Sequence, residues 1–185
     1  MSGGLDSLLE TLGWAQWIVL LVALQRLAEL ALARRNARAL LAAGAQEHGH
    51  GHYPAIVALH AAWLAALFLA VPPGQAPDWP WLAAFVLLQA GRAWAIAALG
   101  RRWTTRVIVL PGAPLVRVGP YRFMRHPNYA VVALEIVILP LAFGAFGLAA
   151  AFGVANAALL AWRIRIEDAA LREALRGSIG AAPPA

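Results

Sequence analysis

Five apolar runs, near residues 12–33, 54–71, 79–99, 129–143 and 148–162, constrain this chain more than any other feature. A helix rises about 1.5 Å per residue, so runs of roughly 20 residues match the ~30 Å of hydrocarbon in a bilayer. Over 185 residues the mean hydropathy is +0.66 and 62% of the side chains are hydrophobic, more than a soluble domain carries. The pattern predicts an all-α integral membrane protein, a single domain over 1–185 with five transmembrane helices.

Arginine sets the expected orientation. All 15 basic residues are Arg. Arg34, Arg35 and Arg38 follow the first run, and Arg101, Arg102, Arg106, Arg117, Arg122 and Arg125 lie between the third and fourth. Arg163, Arg165, Arg172 and Arg176 follow the fifth, whereas the connecting segments 72–78 and 144–147 hold none. The positive-inside rule then puts the N-terminus outside and the C-terminus in the cytoplasm, with all arginine-rich segments on the cytoplasmic face. The net charge of +6 therefore gathers at membrane ends, where it suits anionic headgroups or an anionic ligand rather than nucleic acid. With no cysteine, disulfides, thiolate metal sites and cysteine nucleophiles are excluded.

Some polar residues sit inside the runs. Gln25, Arg26 and Glu29 share one helical face, as do Gln89 and Arg92, and both faces should point inward because charge facing lipid is costly. They could form a structural ion pair or line a pocket. His60, in the second run, could bond between helices or serve a site. His48, His50 and His52 alternate in a glycine-rich segment with no well-shaped ligand shell, so a solvated or substrate-covering loop is expected and no metal.

Residues 100–128 form the longest segment outside the spans, and loops of that length are usually functional. Thr104 to Leu110 is β-branched enough for a short strand. The segment ends in the polar, aromatic run Gly119-Pro120-Tyr121-Arg122-Phe123-Met124-Arg125-His126-Pro127-Asn128-Tyr129, which opens into the apolar stretch containing Glu135. Asn128 and Glu135 are one heptad apart on a shared face, with Glu135 about 10 Å deeper. Asn156, Arg163 and Glu167 form a similar stripe on the fifth helix, which the 144–147 turn makes an antiparallel neighbour. The two stripes could face each other across a cavity; alternatively, Glu135 only neutralises Arg92 or Arg26. No Walker, dinucleotide-binding, zincin or serine-hydrolase signature is present, so a Rossmann-type methyltransferase or P-loop enzyme cannot be built from this chain.

Arg125-His126-Pro127-Asn128-Tyr129 at a helix mouth, followed by Arg163, Arg165, Glu167-Asp168 and Leu171, resembles the isoprenylcysteine carboxyl methyltransferase family over roughly residues 85–175. The resemblance implies an S-adenosylmethionine-dependent membrane methyltransferase with a catalytic core near 100–175, built on a cytoplasmic cofactor-binding loop and C-terminal helix. It implies cofactor-binding positions at His126, Asn128, Tyr129, Arg165 and Glu167, and positions near the reacting centre at Arg125 and Arg163. Two departures stand out: Val131 where the family commonly has Gly, and Glu167-Asp168 where it has a Glu pair. Glu135 after Asn128-Tyr129 is similar instead to a bacterial branch associated with type III polyketide synthases, whose members methylate hydroxyl groups of alkylpyrones or phenolic lipids.

Methyl transfer from a sulfonium to oxygen neutralises charge, so positioning and desolvation do most of the work. An acidic enol would arrive ionised, steered by Arg125 or Arg163, whereas a phenol would want Glu135 or His126 as base. The acceptor would be a lipophilic molecule entering from the bilayer, at the bacterial inner membrane. A prenylcysteine carboxyl methyltransferase, an NADPH-dependent membrane reductase and a non-enzymatic scaffold are the alternatives.

Overall fold

The computed structural model describes residues 12–49 and 51–180, with side chains as far as 174. Helix α1 spans Trp14–Ala42, α2 Tyr53–Ala70, α3 Trp79–Leu99, α4 Pro127–Leu141 and α5 Phe146–Gly180. Strands β1 (Gln46–His48) and β2 (Val107–Val109) pair antiparallel, with Glu47 opposite Ile108. The fold is thus helical apart from this small ribbon, and β2 lies within the stretch expected to be extended.

Trp14–Ala42, Tyr53–Ala70, Trp79–Arg102 and Phe146–Ala174 are long and apolar enough to cross a membrane, whereas α4 is apolar but shorter. Helix α1 differs from expectation by continuing past residue 33. Its last turns carry Arg34, Arg35 and Arg38, because Ala, Leu and Arg sustain a helix until Gly44, at φ +89°, breaks it. Proline opens α2, α3 and α4 at Pro54, Pro80 and Pro127, where the missing N–H costs nothing. Pro140 and then Gly144, at φ +65°, end α4 and turn the chain into α5. Helix α5 has 35 residues, about 52 Å at the helical rise, so its C-terminal half runs well beyond hydrocarbon thickness.

Helix α2 packs against α1 and α5, and α4 packs against α3 and α5. Val19, Val22, Trp63, Leu67, Phe85, Ile136, Leu139 and Phe143 interlock as the core. Side-chain amides staple the helix ends: Gln16 Nε2 donates to the carbonyls of Val71 (2.7 Å) and Phe68 (3.0 Å), and Asn36 Nδ2 donates to that of Trp103 (2.9 Å).

The charges inside the bundle form one cluster. Glu135 accepts from Arg26 Nη2 (2.8 Å), Gln89 Nε2 (2.8 Å) and Arg92 Nη1 (3.4 Å). Glu29 accepts from Arg92 Nη2 (2.6 Å), Arg92 Nε (2.8 Å) and Arg26 Nη1 (3.0 Å), and Gln25 Nε2 bridges Glu29 to Gln89. Two guanidiniums therefore balance two carboxylates, tying α1, α3 and α4 where water is scarce.

Candidate active site

A cavity of about 670 Å³ lies at the arginine-bearing end of the bundle, within the size range of small-molecule sites. β2 and the segment after it form one wall, the Tyr121–Tyr129 run another, and α5 the third through Arg163, Glu167, Asp168 and Leu171. Pro127 starts α4 here, so His126 sits as its N-cap residue while Asn128 and Tyr129 occupy the first turn.

Tyr129 is the centre of this arrangement. Its hydroxyl accepts from Arg163 Nε (2.7 Å) and donates to the Glu167 carboxylate. Arg163 Nη1 also donates to the Thr105 carbonyl (2.8 Å), which fixes the guanidinium between α4 and the β2 approach. The His126 ring stacks on Tyr129, with centroids 5.1 Å apart and planes 5° from parallel. His126 Nδ1 lies 3.9 Å from Glu167 and Nε2 3.5 Å from Asp168, so these two adjacent carboxylates face the imidazole. Burial, reinforced by Glu167, pushes the Tyr121 hydroxyl pKa up to about 12, so that hydroxyl remains a hydrogen-bond donor at neutral pH.

Two polar atoms at the cavity wall are buried without a hydrogen-bond partner: His126 Nε2 and Asn128 Oδ1. Buried polar groups are normally satisfied, so this pair marks places where a ligand can supply the missing partner. Carboxylates for ribose hydroxyls, arginines for an amino-acid carboxylate and stacked aromatic rings for a base together fit a nucleoside carrying an amino acid.

The isoprenylcysteine carboxyl methyltransferase (ICMT) family model matches residues 81–173, which include every side chain of this arrangement. The chain belongs to that family. It is an S-adenosylmethionine-dependent methyltransferase of the isoprenylcysteine carboxyl methyltransferase type, acting on a membrane substrate. The reductase and scaffold alternatives give way to this assignment. The chain is also 41% identical over 162 residues to a Bacillus subtilis (strain 168) protein described as "Uncharacterized protein YpbQ", an alignment covering 85% of this chain and 96% of the relative. No solved structure matches.

Of the residues expected in the methyltransferase site, Arg125, His126, Asn128, Tyr129, Arg163 and Glu167 all line the cavity. Arg165 does not; it is exposed on another face of α5, two residues from Arg163 and so roughly 200° around the helix. Glu135 does not line it either. It is buried among Arg26, Arg92 and Gln89, where its carboxylate is the counter-ion of the two guanidiniums. Asn156 is buried deeper on α5 and is also absent from the wall, so only the upper part of each expected stripe reaches the cavity.

The histidine segment also differs from expectation. His52 is buried against Trp162 rather than solvated, with ring centroids 6.0 Å apart, and His50 falls outside the described residues. Among the described residues, no His, Asp or Glu cluster is arranged to hold a metal. Val131, in place of the family's usual glycine, faces Gly91 of α3, where a Cβ would lie 3.7 Å from Val131 Cγ2, an ordinary contact distance.

Tyr121 and Thr105 escaped the sequence reading. Tyr121 stands inside the Gly119–Tyr129 run and could have been included as a buried phenol beside the motif. Thr105 contributes only its carbonyl oxygen, for which residue type is no signal.

Proposed function

We propose that this methyltransferase carries a methyl group from S-adenosylmethionine to an oxygen of a lipophilic acceptor drawn from the bilayer, with the active site facing the cytoplasm. The observation that carries the reading is the Arg163–Tyr129–Glu167 hydrogen-bonded chain at the cavity wall, beside Asn128 Oδ1 and His126 Nε2, which are buried without a hydrogen bond. His126, Asn128, Tyr129 and Glu167 would hold the cofactor, which supplies an electrophilic methyl group on a sulfonium.

The chain's own task is to align the acceptor, exclude water and manage charge. Arg163 spends Nε on Tyr129 and Nη1 on Thr105, leaving Nη2 to hold an anionic oxygen. Arg125, also on the cavity wall, adds positive potential that favours an ionised enol over its neutral form. For a phenol, His126 is the group placed to take the proton, with Glu167 and Asp168 stabilising the imidazolium.

Resemblance to the polyketide-associated branch favours an alkylpyrone or phenolic lipid as acceptor, with a functional link to a type III polyketide synthase. Purified protein is expected to bind S-adenosylhomocysteine but not NADPH in calorimetry, and to pass a labelled methyl to a long-chain alkylpyrone or phenolic lipid. Transfer to a prenylcysteine carboxylate instead would replace that acceptor and keep the chemistry; no binding of S-adenosylhomocysteine would end the proposal.

A further inference from the structure

The short helix α4 sets the depth of the active-site loop. Asp78 N–H, at the start of α3, donates to the Ala142 carbonyl just past the end of α4 (2.7 Å), and Gly91 faces Val131. The two helices are therefore level at the arginine-free end and in register midway. α3 has 21 residues and α4 has 15, so α4 begins about 9 Å short of the other end of α3. The chain reaching α4 must descend by that amount. Gly119 packs on the last turns of α3, so close that a Cβ there would be 2.9 Å from Ala98 Cβ and 3.1 Å from Trp94 Nε1. Segment 115–125 thus rests beside the last turns of a membrane-spanning helix, at the depth of lipid headgroups.

Its exposed side chains have the matching composition. Phe123 is 71% exposed and Val118 59%, with Met124 and Leu115 exposed beside them. Arg117 and Arg122 alternate with these apolar groups and are exposed, and among the described residues neither has an ion-pair partner. Arg26 and Arg92, inside the bundle, are by contrast matched by the carboxylates of Glu29 and Glu135. Apolar side chains interleaved with unpaired cations at interfacial depth complement an anionic headgroup layer.

We infer that segment 115–125 is an interfacial anchor that inserts Val118, Phe123 and Met124 among anionic lipids of the surrounding bilayer, held there by Arg117 and Arg122. Apart from Val118 these residues also border the cavity, so the lipid surface lies against one wall of the site. The inference rests on the membrane placement of the helices and does not require methyl transfer.

Because the chain has no cysteine, Phe123→Cys creates a unique attachment point for a nitroxide. Leu87→Cys, lipid-facing midway along α3, and Pro111→Cys, at the exposed turn, calibrate depth in parallel. In vesicles of mixed phosphatidylglycerol and phosphatidylcholine, the Phe123→Cys label should collide several-fold more with oxygen than with a water-soluble nickel chelate. That ratio should fall in pure phosphatidylcholine, at high salt, and in the Phe123→Cys protein also carrying Arg117→Gln and Arg122→Gln, while the Leu87→Cys label stays unchanged. A water-exposed label in both lipids would overturn the inference. So would equal burial in both, which means apolar insertion without charge recognition, or label–label broadening, which means that a second copy covers the face.

Discussion

Tyr129 holds three partners in one geometry: Arg163 as donor, Glu167 as acceptor and His126 stacked on its ring. Tyr129→Phe keeps the stack and removes both hydrogen bonds to charged groups, each worth about 1.5–3 kcal/mol. Methyl transfer is expected to fall roughly 10- to 100-fold, and the melting temperature in detergent should drop with the lost hydrogen bonds. Glu135→Gln should lower stability and spare the site. It leaves the Arg26 and Arg92 guanidiniums with one carboxylate fewer, at a cost of about 3–5 kcal/mol. The protein should melt earlier, and Arg26→Gln in the same background should recover part of the loss; the surviving folded protein should still bind S-adenosylhomocysteine normally. Loss of that binding without loss of stability would return Glu135 to the site. His52 tests the linkage to pH. Burial, aided by the Arg163 charge, lowers its pKa, with Glu167 opposing, whereas the unfolded chain titrates near ~6.5. Its neutral form therefore contributes stability above about pH 6.5 that is lost as pH falls, because the unfolded state takes up the proton first. The melting temperature should drop more between pH 7.5 and 5.5 in the wild type than in His52→Phe, which keeps the ring packing on Trp162.

Among the elements, α4 is the one whose length matters most. Its 15 residues end at Pro140 and Gly144 and begin at Pro127, so both limits are written into the chain as breakers. What its length does to the loop before it became clear only from its register against α3. Gly119 is where the two constraints meet, since it needs a left-handed φ of +56° and also has no room for a side chain beside Trp94 and Ala98. Gly119→Ala should cost about 1–3 kcal/mol of local strain and lift the loop from α3. The expected readout is weakened S-adenosylhomocysteine binding in calorimetry together with faster proteolysis after the arginines of 117–125. An unchanged affinity would show that the loop tolerates the displacement.

For the molecule as a whole, the number of crossings decides which faces the two ends occupy. The hydrogen bond from Asp78 to the Ala142 carbonyl brings the end of α4 back to the start of α3, as a fifth crossing would require. Five crossings put segment 72–78 and the C-terminus on opposite sides, whereas four, with α4 lying on one face, put them on the same side. Reporter fusions at Gln75 and at the C-terminus are expected to read outside and cytoplasmic, respectively; identical readings would exclude the five-crossing arrangement.

The sequence by itself determined the apolar runs, the breakers between them and the grouping of arginines at one set of ends, because hydropathy, proline and glycine act locally. It also determined the His126–Tyr129 motif and its pairing with Arg163 and Glu167, through the family resemblance those residues carry. Only the tertiary structure decided what each polar residue faces. Glu135 and Asn128 share a helical face, yet the guanidiniums of Arg26 and Arg92, from helices far away in the chain, capture the first and leave the second open to the cavity. Helical periodicity fixes direction around an axis, but the partner found in that direction depends on how neighbouring helices are set against it. For the same reason the burial of His52, the Thr105 carbonyl under Arg163 and the depth of the active-site loop could not be read from residue spacing.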